Sequence, residues 1–113
     1  MTVTIYHNPR CSKSRATLAL LEEKGIEPDI VKYLETPLSA DDIKRILGLL
    51  GMTPRQLLRN KEADQAGLGD ASLSDQELIE GMAANPMVIE RPIVVAGSKA
   101  ALGRPPEKVL EIL

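Results

Sequence analysis

The chain has 113 residues, 43% hydrophobic and 27% charged, with 8 Gly and 8 Pro, a length and composition that fit one folded domain and exclude a disordered or multidomain protein. A formal charge of -2, with Tyr6 and Tyr33 as the only aromatic residues, removes both the basic surface and the stacking platforms that a nucleic-acid binder needs. The longest apolar stretch, Ile46 to Met52, is too short to span a bilayer and no leader pattern opens the chain, so a soluble, cytoplasmic protein is expected.

Thr2-Val3-Thr4-Ile5-Tyr6 alternates polar and apolar residues, which predicts a first strand ending at the turn cluster His7-Asn8-Pro9. From Ser12 the period changes to that of a helix, with Ser14, Leu18 and Leu21 on one face and Gly25 at the expected C-terminal cap. Cys11 therefore falls at a strand-to-helix junction. Ile30, Val31, Tyr33 and Leu34, between Pro28 and Pro37, predict a second strand and complete a β-α-β unit, whose parallel pair requires a right-handed crossover.

Three helices are expected in the middle of the chain. Ser39 and Asp42 form a capping-box variant before Ile43, Ile46, Leu47 and Leu50; Thr53-Pro54 opens a short helix that carries Leu57 and Leu58 and ends at Arg59. A polar, glycine-containing stretch from Asn60 to Leu73 separates it from a third helix, capped by Ser74 and Glu77, carrying Leu78, Ile79 and Met82 and stopped by Asn85-Pro86. Ile93 to Ala96, the Gly97-Ser98 turn and Lys99 to Leu102 read as a hairpin, and Pro105-Pro106 opens a closing helix through Val109, Leu110 and Leu113. This order predicts an α/β fold with helices covering a sheet, in which ligands bind beyond the carboxyl ends of strands. His7 to Ser12 lie there.

The first fifteen residues carry three basic side chains, Arg10, Lys13 and Arg15, and no acidic one, in a chain that is otherwise net negative. A lone cysteine is ordinarily a small buried hydrophobe, but Cys11 sits among these cations at a helix start, where dipole and charge favour the thiolate and where backbone N–H groups also bind anions. With one Cys and one His in the chain, neither a disulfide framework nor a zinc site is expected. His7, four residues before Cys11, has the chemistry to assist the nucleophile, or merely to satisfy loop backbone. Lys13 and Arg15 fit a solvated helix face, with Arg15 the better placed toward the thiol. Arg59, Arg91 and Arg104 each stand at an element end, and arginine's fork matches the oxygens of a tetrahedral anion. Taken singly they also fit surface arginines.

The strings Tyr6-His7-Asn8-Pro9-Arg10-Cys11-Ser12-Lys13-Ser14-Arg15, Glu90-Arg91-Pro92-Ile93-Val94-Val95 and Leu102-Gly103-Arg104-Pro105-Pro106-Glu107 resemble the glutaredoxin-dependent arsenate reductase family of thioredoxin-like proteins, and the likeness covers the whole chain. The resemblance implies a thioredoxin-like mixed sheet flanked by helices, forming a single domain over residues 1–113 with a helical insert at about 37–85 and Pro92 in a cis-proline position. It implies Cys11 as nucleophile, His7 as its helper, and Arg59, Arg91 and Arg104 as oxyanion ligands. It further implies arsenate as substrate, glutathione as co-substrate, glutaredoxin as partner, and no bound cofactor or metal; other phosphate-like oxyanions suit the same groups. Two related classes compete: a thioredoxin-like regulator of RNA polymerase, here without its redox switch because Ser14 stands where a second cysteine would pair, and a monothiol glutaredoxin-like thiol transferase, for which the arginine set is superfluous.

Overall fold

The computed structural model describes residues 2–113, which fall into two units, one running to Thr36 and resuming from Arg91 to Leu113, the other Pro37–Glu90. In the first unit, strand β1 (Val3–Tyr6) leads into helix α1 (Ser12–Glu23) and strand β2 (Asp29–Val31), and the chain returns as strands β3 (Ile93–Ala96) and β4 (Lys99–Leu102) and a 3-10 helix over Pro106–Ile112. The strands make one mixed α/β sheet in the order β2-β1-β3-β4. β1 pairs parallel with β2 and antiparallel with β3, and β3 pairs antiparallel with β4. The β-branched run of β3 is buried throughout, as an interior strand requires. Its Val94 and Ala96 join Val3, Ile5, Leu21 and Val109 in the core of this unit.

Helix α1 ends as its sequence predicts. Gly25 adopts φ 76°, its N–H bonds the Glu22 carbonyl at 3.0 Å and the Ile26 N–H bonds the Leu21 carbonyl at 3.0 Å, the paired bonds of a Schellman cap that a side chain with a Cβ would strain. The buried face of α1 is Ser14, Thr17 and Leu21. Its far end is thus apolar, whereas the end nearest Cys11 buries hydroxyls.

The second unit is helical. α2 (Ala40–Leu50), α3 (Pro54–Leu57) and α5 (Asp75–Ala84) each start with a reciprocal capping box, formed by Ser39 with Asp42, Thr53 with Gln56, and Ser74 with Glu77. α4 (Asn60–Gln65) lies between them, and a 3-10 turn over Pro86–Val88 follows α5. Ile43, Ile46, Leu57, Leu78, Met82 and Ile89 supply large buried side chains here.

Three sequence expectations are corrected. The second strand stops at Val31, and Tyr33 and Leu34 lie in a turn closed by the Glu35 and Thr36 N–H groups on the Lys32 carbonyl, both at 2.9 Å; these local bonds remove from the ladder a stretch whose composition suits a strand. The middle of the chain holds four α-helices rather than three, because Asn60–Gln65, polar except for Ala63, buries only that small residue and offers no apolar stripe to read. Arg59 consequently does not end α3 but is the N-cap residue of α4. The closing helix is a 3-10 helix: no side chain caps it, and seven residues leave few longer bonds to form. Among the described residues, no helix is long and apolar enough to cross a membrane.

Replacing Leu21, fully buried in the sheet unit, by Ala is expected to destabilise the protein by about 2 to 5 kcal/mol. Ser74→Ala, which removes one cap in the helical unit, is expected to cost about 0.5 to 2 kcal/mol. Urea unfolding followed by circular dichroism reads both, and equal effects would contradict this ranking.

Candidate active site

Strand register assembles the site. Tyr6 lies opposite Ile93 in β3 and beside Val31 in β2, and Ile93 in turn lies opposite Leu102 in β4. The residues after Tyr6, before Ile93 and after Leu102 therefore meet at one end of the sheet, and His7, Cys11, Arg91 and Arg104 all belong to these segments. The loop that delivers Cys11 is tied internally. The Asn8 side-chain oxygen accepts the Arg10 N–H at 3.0 Å, the Cys11 N–H donates to the Asn8 carbonyl at 3.0 Å, and the Arg15 guanidinium donates to the Pro9 carbonyl at 2.9 Å.

Cys11 is the N-cap residue of α1, with extended φ and ψ of -89° and 123°, and is partly buried. Burial pushes its thiol pKa up, but this is outweighed by the Ser14 backbone N–H, a hydrogen bond from the Arg91 side chain, the Lys13 N–H and the Arg91 charge, so the net shift is downward. No N–H completes a conventional side-chain cap on the sulfur. Sulfur is a large, soft acceptor, and the N–H groups of the first turn stabilise its charged form from the longer distance. The sequence expectation of a depressed cysteine pKa agrees with this setting, and its largest single cation is Arg91 rather than the flanking Arg10, Lys13 or Arg15.

His7 is turned to another task than contact with sulfur. It is 5% exposed, and its Nδ1 lies 2.6 Å from the Ser14 hydroxyl, which also accepts the Asn8 N–H at 3.1 Å. That hydroxyl has no other acceptor among the described residues, so it donates to Nδ1 and leaves the imidazole proton on Nε2. Burial, then the charges of Lys32 and Arg15, lower the His7 pKa below 6.5 and keep the ring neutral. Ser14 links the two: its side chain bonds His7, and its backbone N–H belongs to the first turn that favours the Cys11 thiolate. Ser14, read from the sequence only as a helix-face residue and the place of a missing cysteine, is thus a member of the site that sequence reasoning missed; its spacing of three from Cys11 was the available signal.

Arg91 and Arg104 come together: the Arg104 Nη1 donates to the Arg91 carbonyl at 3.2 Å. The Arg91–Pro92 and Arg104–Pro105 bonds are both cis, the first as the resemblance implies. Gly103 makes the approach possible, since its N–H bonds the Pro92 carbonyl at 2.9 Å and an added Cβ would run into Thr17 Oγ1 and lie 2.8 Å from Pro92 Cγ. Arg59 belongs to the helical unit, where its Nε pairs with Glu62 at 3.3 Å and its N–H bonds the Val88 carbonyl at 2.7 Å. Lys13 and Arg15 have exposed side chains. Among the described residues no group of three or more His, Cys, Asp or Glu is placed to hold a metal ion.

A model of the ArsC family matches residues 6–112. The chain is 56% identical over 114 residues to the uncharacterized protein YfgD of Escherichia coli strain K12, covering 98% of this chain and 96% of that one. It is 49% identical over 115 residues to an arsenate reductase of Rhizobium meliloti, covering 100% of this chain and 82% of that one. A solved arsenate reductase from Vibrio cholerae superposes with a TM-score of 0.96 at 53% identity, covering 100% of this chain and 98% of that one. The thioredoxin-like α/β architecture expected from the sequence is the one observed.

Iodoacetamide alkylation of Cys11 is expected to show a pH midpoint below the roughly 8.5 of a free thiol, rising toward it in Arg91→Ala; a wild-type midpoint at or above that value overturns the electrostatic account. For His7, the lowered native pKa means that the unfolded chain binds the extra proton between that value and 6.5. This contribution to stability is fully present above about pH 6.5 and is lost as pH falls through the native value. Chemical unfolding from pH 7.5 to 5 should show this loss, and His7→Gln should remove it.

Proposed function

The chain belongs to the ArsC family, and on that premise we propose that it reduces arsenate to arsenite through a covalent adduct at Cys11, with glutathione and glutaredoxin as reductants, in the cytoplasm, where small thiols are kept reduced. The observation that carries this reading is the cation of Arg91 set beside Cys11, where it lowers the thiol pKa: one group favours a thiolate and offers donors to an oxyanion brought beside it. The arsenate reductase names of relatives such as those of Rhizobium meliloti and Haemophilus influenzae, the latter 49% identical over 116 residues and covered in full on both sides, support the choice of oxyanion.

In the first step the Cys11 thiolate attacks arsenic and an arsenate oxygen leaves as water after protonation, forming an S–As bond with arsenic still pentavalent. Arg91 and Arg104 hold the remaining oxygens and neutralise their charge. Arg59, paired with Glu62 in the helical unit, is the third ligand that the resemblance implies, and no step here depends on it. In the second step a glutathione thiolate attacks the Cys11 sulfur. An S–S bond forms, the S–As pair stays on arsenic, and arsenite leaves, reduced by two electrons. In the third, a glutaredoxin thiolate attacks the mixed disulfide and returns Cys11 to the free thiol. One arsenate and two thiols thus yield arsenite, one disulfide and one water. With one cysteine in the chain, both attacking thiols come from outside.

His7 acts through Ser14, holding the first turn so that its N–H groups keep favouring the Cys11 thiolate; it is a positioning residue in this scheme. No step requires a metal.

Arsenate-dependent NADPH oxidation, with glutathione, glutaredoxin and glutathione reductase supplied, tests the assignment. Turnover is expected and should vanish in Cys11→Ser. Arg91→Ala and Arg104→Ala should each lower kcat/KM about 10- to 150-fold, the equivalent of about 1.5 to 3 kcal/mol for a charge-assisted contact, with Lys variants recovering only part because the fork is lost. Full activity in both alanine variants, or in Cys11→Ser, overturns the mechanism.

A further inference from the structure

The sheet unit holds a cleft of about 250 Å³ that His7 and Asn8 line in part and to which the steps above assign no ligand. One wall is Pro9 and Arg10, from the loop that delivers Cys11; the other is Lys32, Leu34 and Glu35, from the turn after β2. Both walls are fixed before any ligand arrives. The loop is held by the Asn8 side chain and the Arg15 guanidinium, and the turn is anchored by Tyr33, 2% exposed, and by two N–H groups on the Lys32 carbonyl. With Tyr33 pointing inward, Lys32, Leu34 and Glu35 are left exposed around it.

The charges of this cleft form a pattern. Arg10 and Lys32 are cationic and Glu35 anionic, and among the described residues none of the three takes part in an ion pair. Leu34 supplies an apolar side, 37% exposed. The volume lies below the 300 to 1,000 Å³ or so of pockets that enclose drug-sized ligands, so the cleft suits a small, extended molecule that leaves part of itself outside. Two cations and one anion complement a ligand with two carboxylates and one ammonium. His7, Asn8, Pro9 and Arg10 all line the cleft, so a molecule seated here lies along the loop that leads directly into Cys11.

We propose that this cleft is the subsite for the thiol tripeptide that resolves the Cys11 adduct, with Arg10 and Lys32 on the two carboxylates of glutathione, Glu35 on its ammonium, and Leu34 along its aliphatic stem. The proposal rests on the reading that an external small thiol attacks at Cys11. It explains why an exposed turn on the far side of the nucleophile loop from the arginine pair carries matched but unpaired charges. Oxyanion and thiol then approach Cys11 from separate groups of residues, so binding one does not displace the other.

The test uses the protein with Cys11 converted to its mixed disulfide with thionitrobenzoate, whose release is followed by absorbance. The second-order rate constants for attack by glutathione and by 2-mercaptoethanol are compared, and their ratio is taken so that changes in Cys11 itself cancel. Lys32→Gln and Glu35→Gln are each expected to lower the ratio about three- to fivefold, the scale of a solvent-exposed ion pair. The Glu35 variant separates recognition from long-range attraction: if the cleft acts only through its net charge, removing an anion raises the ratio for negatively charged glutathione. A raised or unchanged ratio in Glu35→Gln, or an unchanged ratio in Lys32→Gln, overturns the proposal. If the ratio falls in both variants while the wild type fails to turn over arsenate, the subsite stands and the arsenate reading falls.

Discussion

The antiparallel pairing of β1 with β3 is the constraint on which the site depends. Tyr6 opposite Ile93, and Ile93 opposite Leu102, bring the loop after β1 and two segments from near the end of the chain to one end of the sheet. A slip of one residue would turn every side chain to the opposite face. It would carry Ile5 and Val94, both fully buried, out of the core, so the apolar pattern that stabilises the unit also fixes the position of Arg91 beside Cys11. The catalytic register is set by hydrophobic burial rather than by any contact among the polar groups themselves.

Within that frame, Cys11 reflects a balance of opposed effects. Partial burial opposes the thiolate, whereas the first-turn N–H groups and Arg91 favour it, and the second set prevails. Low local dielectric strengthens the attraction of Arg91 for both thiolate and oxyanion. The buried hydroxyl of Ser14 serves the same end indirectly. By bonding His7 and the Asn8 N–H, it satisfies groups that would otherwise lie buried without partners, and it locks the turn whose N–H groups face the sulfur.

What the sequence made legible follows from which signals are local. Strand alternation in Val3–Tyr6, the Ser39 and Ser74 boxes and the Gly25 cap are short-range patterns, and all four are found as read. Asn60–Gln65 was not legible, because a six-residue helix burying one alanine has no periodicity to detect. Tyr33 misled for the opposite reason: with Ile30, Val31 and Leu34 it has the composition of a strand, yet it is buried from a turn. At the site, the helix-start position of Cys11 could be read from residues 7 to 15 alone. The contact of Arg91 with Cys11 and of Arg104 with the Arg91 carbonyl is a product of strand pairing, which spacing cannot show, and the resemblance to a family supplied what the periodicity did not.

The presence of Ser14 three residues after Cys11 links this geometry to the choice of reductant. A cysteine there would place a second thiol one helical turn from the first and permit an internal disulfide. It would also replace a hydroxyl that donates one short hydrogen bond and accepts another by a thiol, which is a weak donor and a weak acceptor, loosening the hold of His7 and Asn8 on the turn. Serine therefore holds the surroundings of Cys11 in place and at the same time leaves the chain with no second thiol to pair with it. In the proposed scheme an external thiol then becomes obligatory, and it has to reach Cys11 while the arginines hold the oxyanion. The loop from His7 to Arg10 satisfies both demands by presenting Cys11 between the β3–β4 arginines and the charged turn after β2.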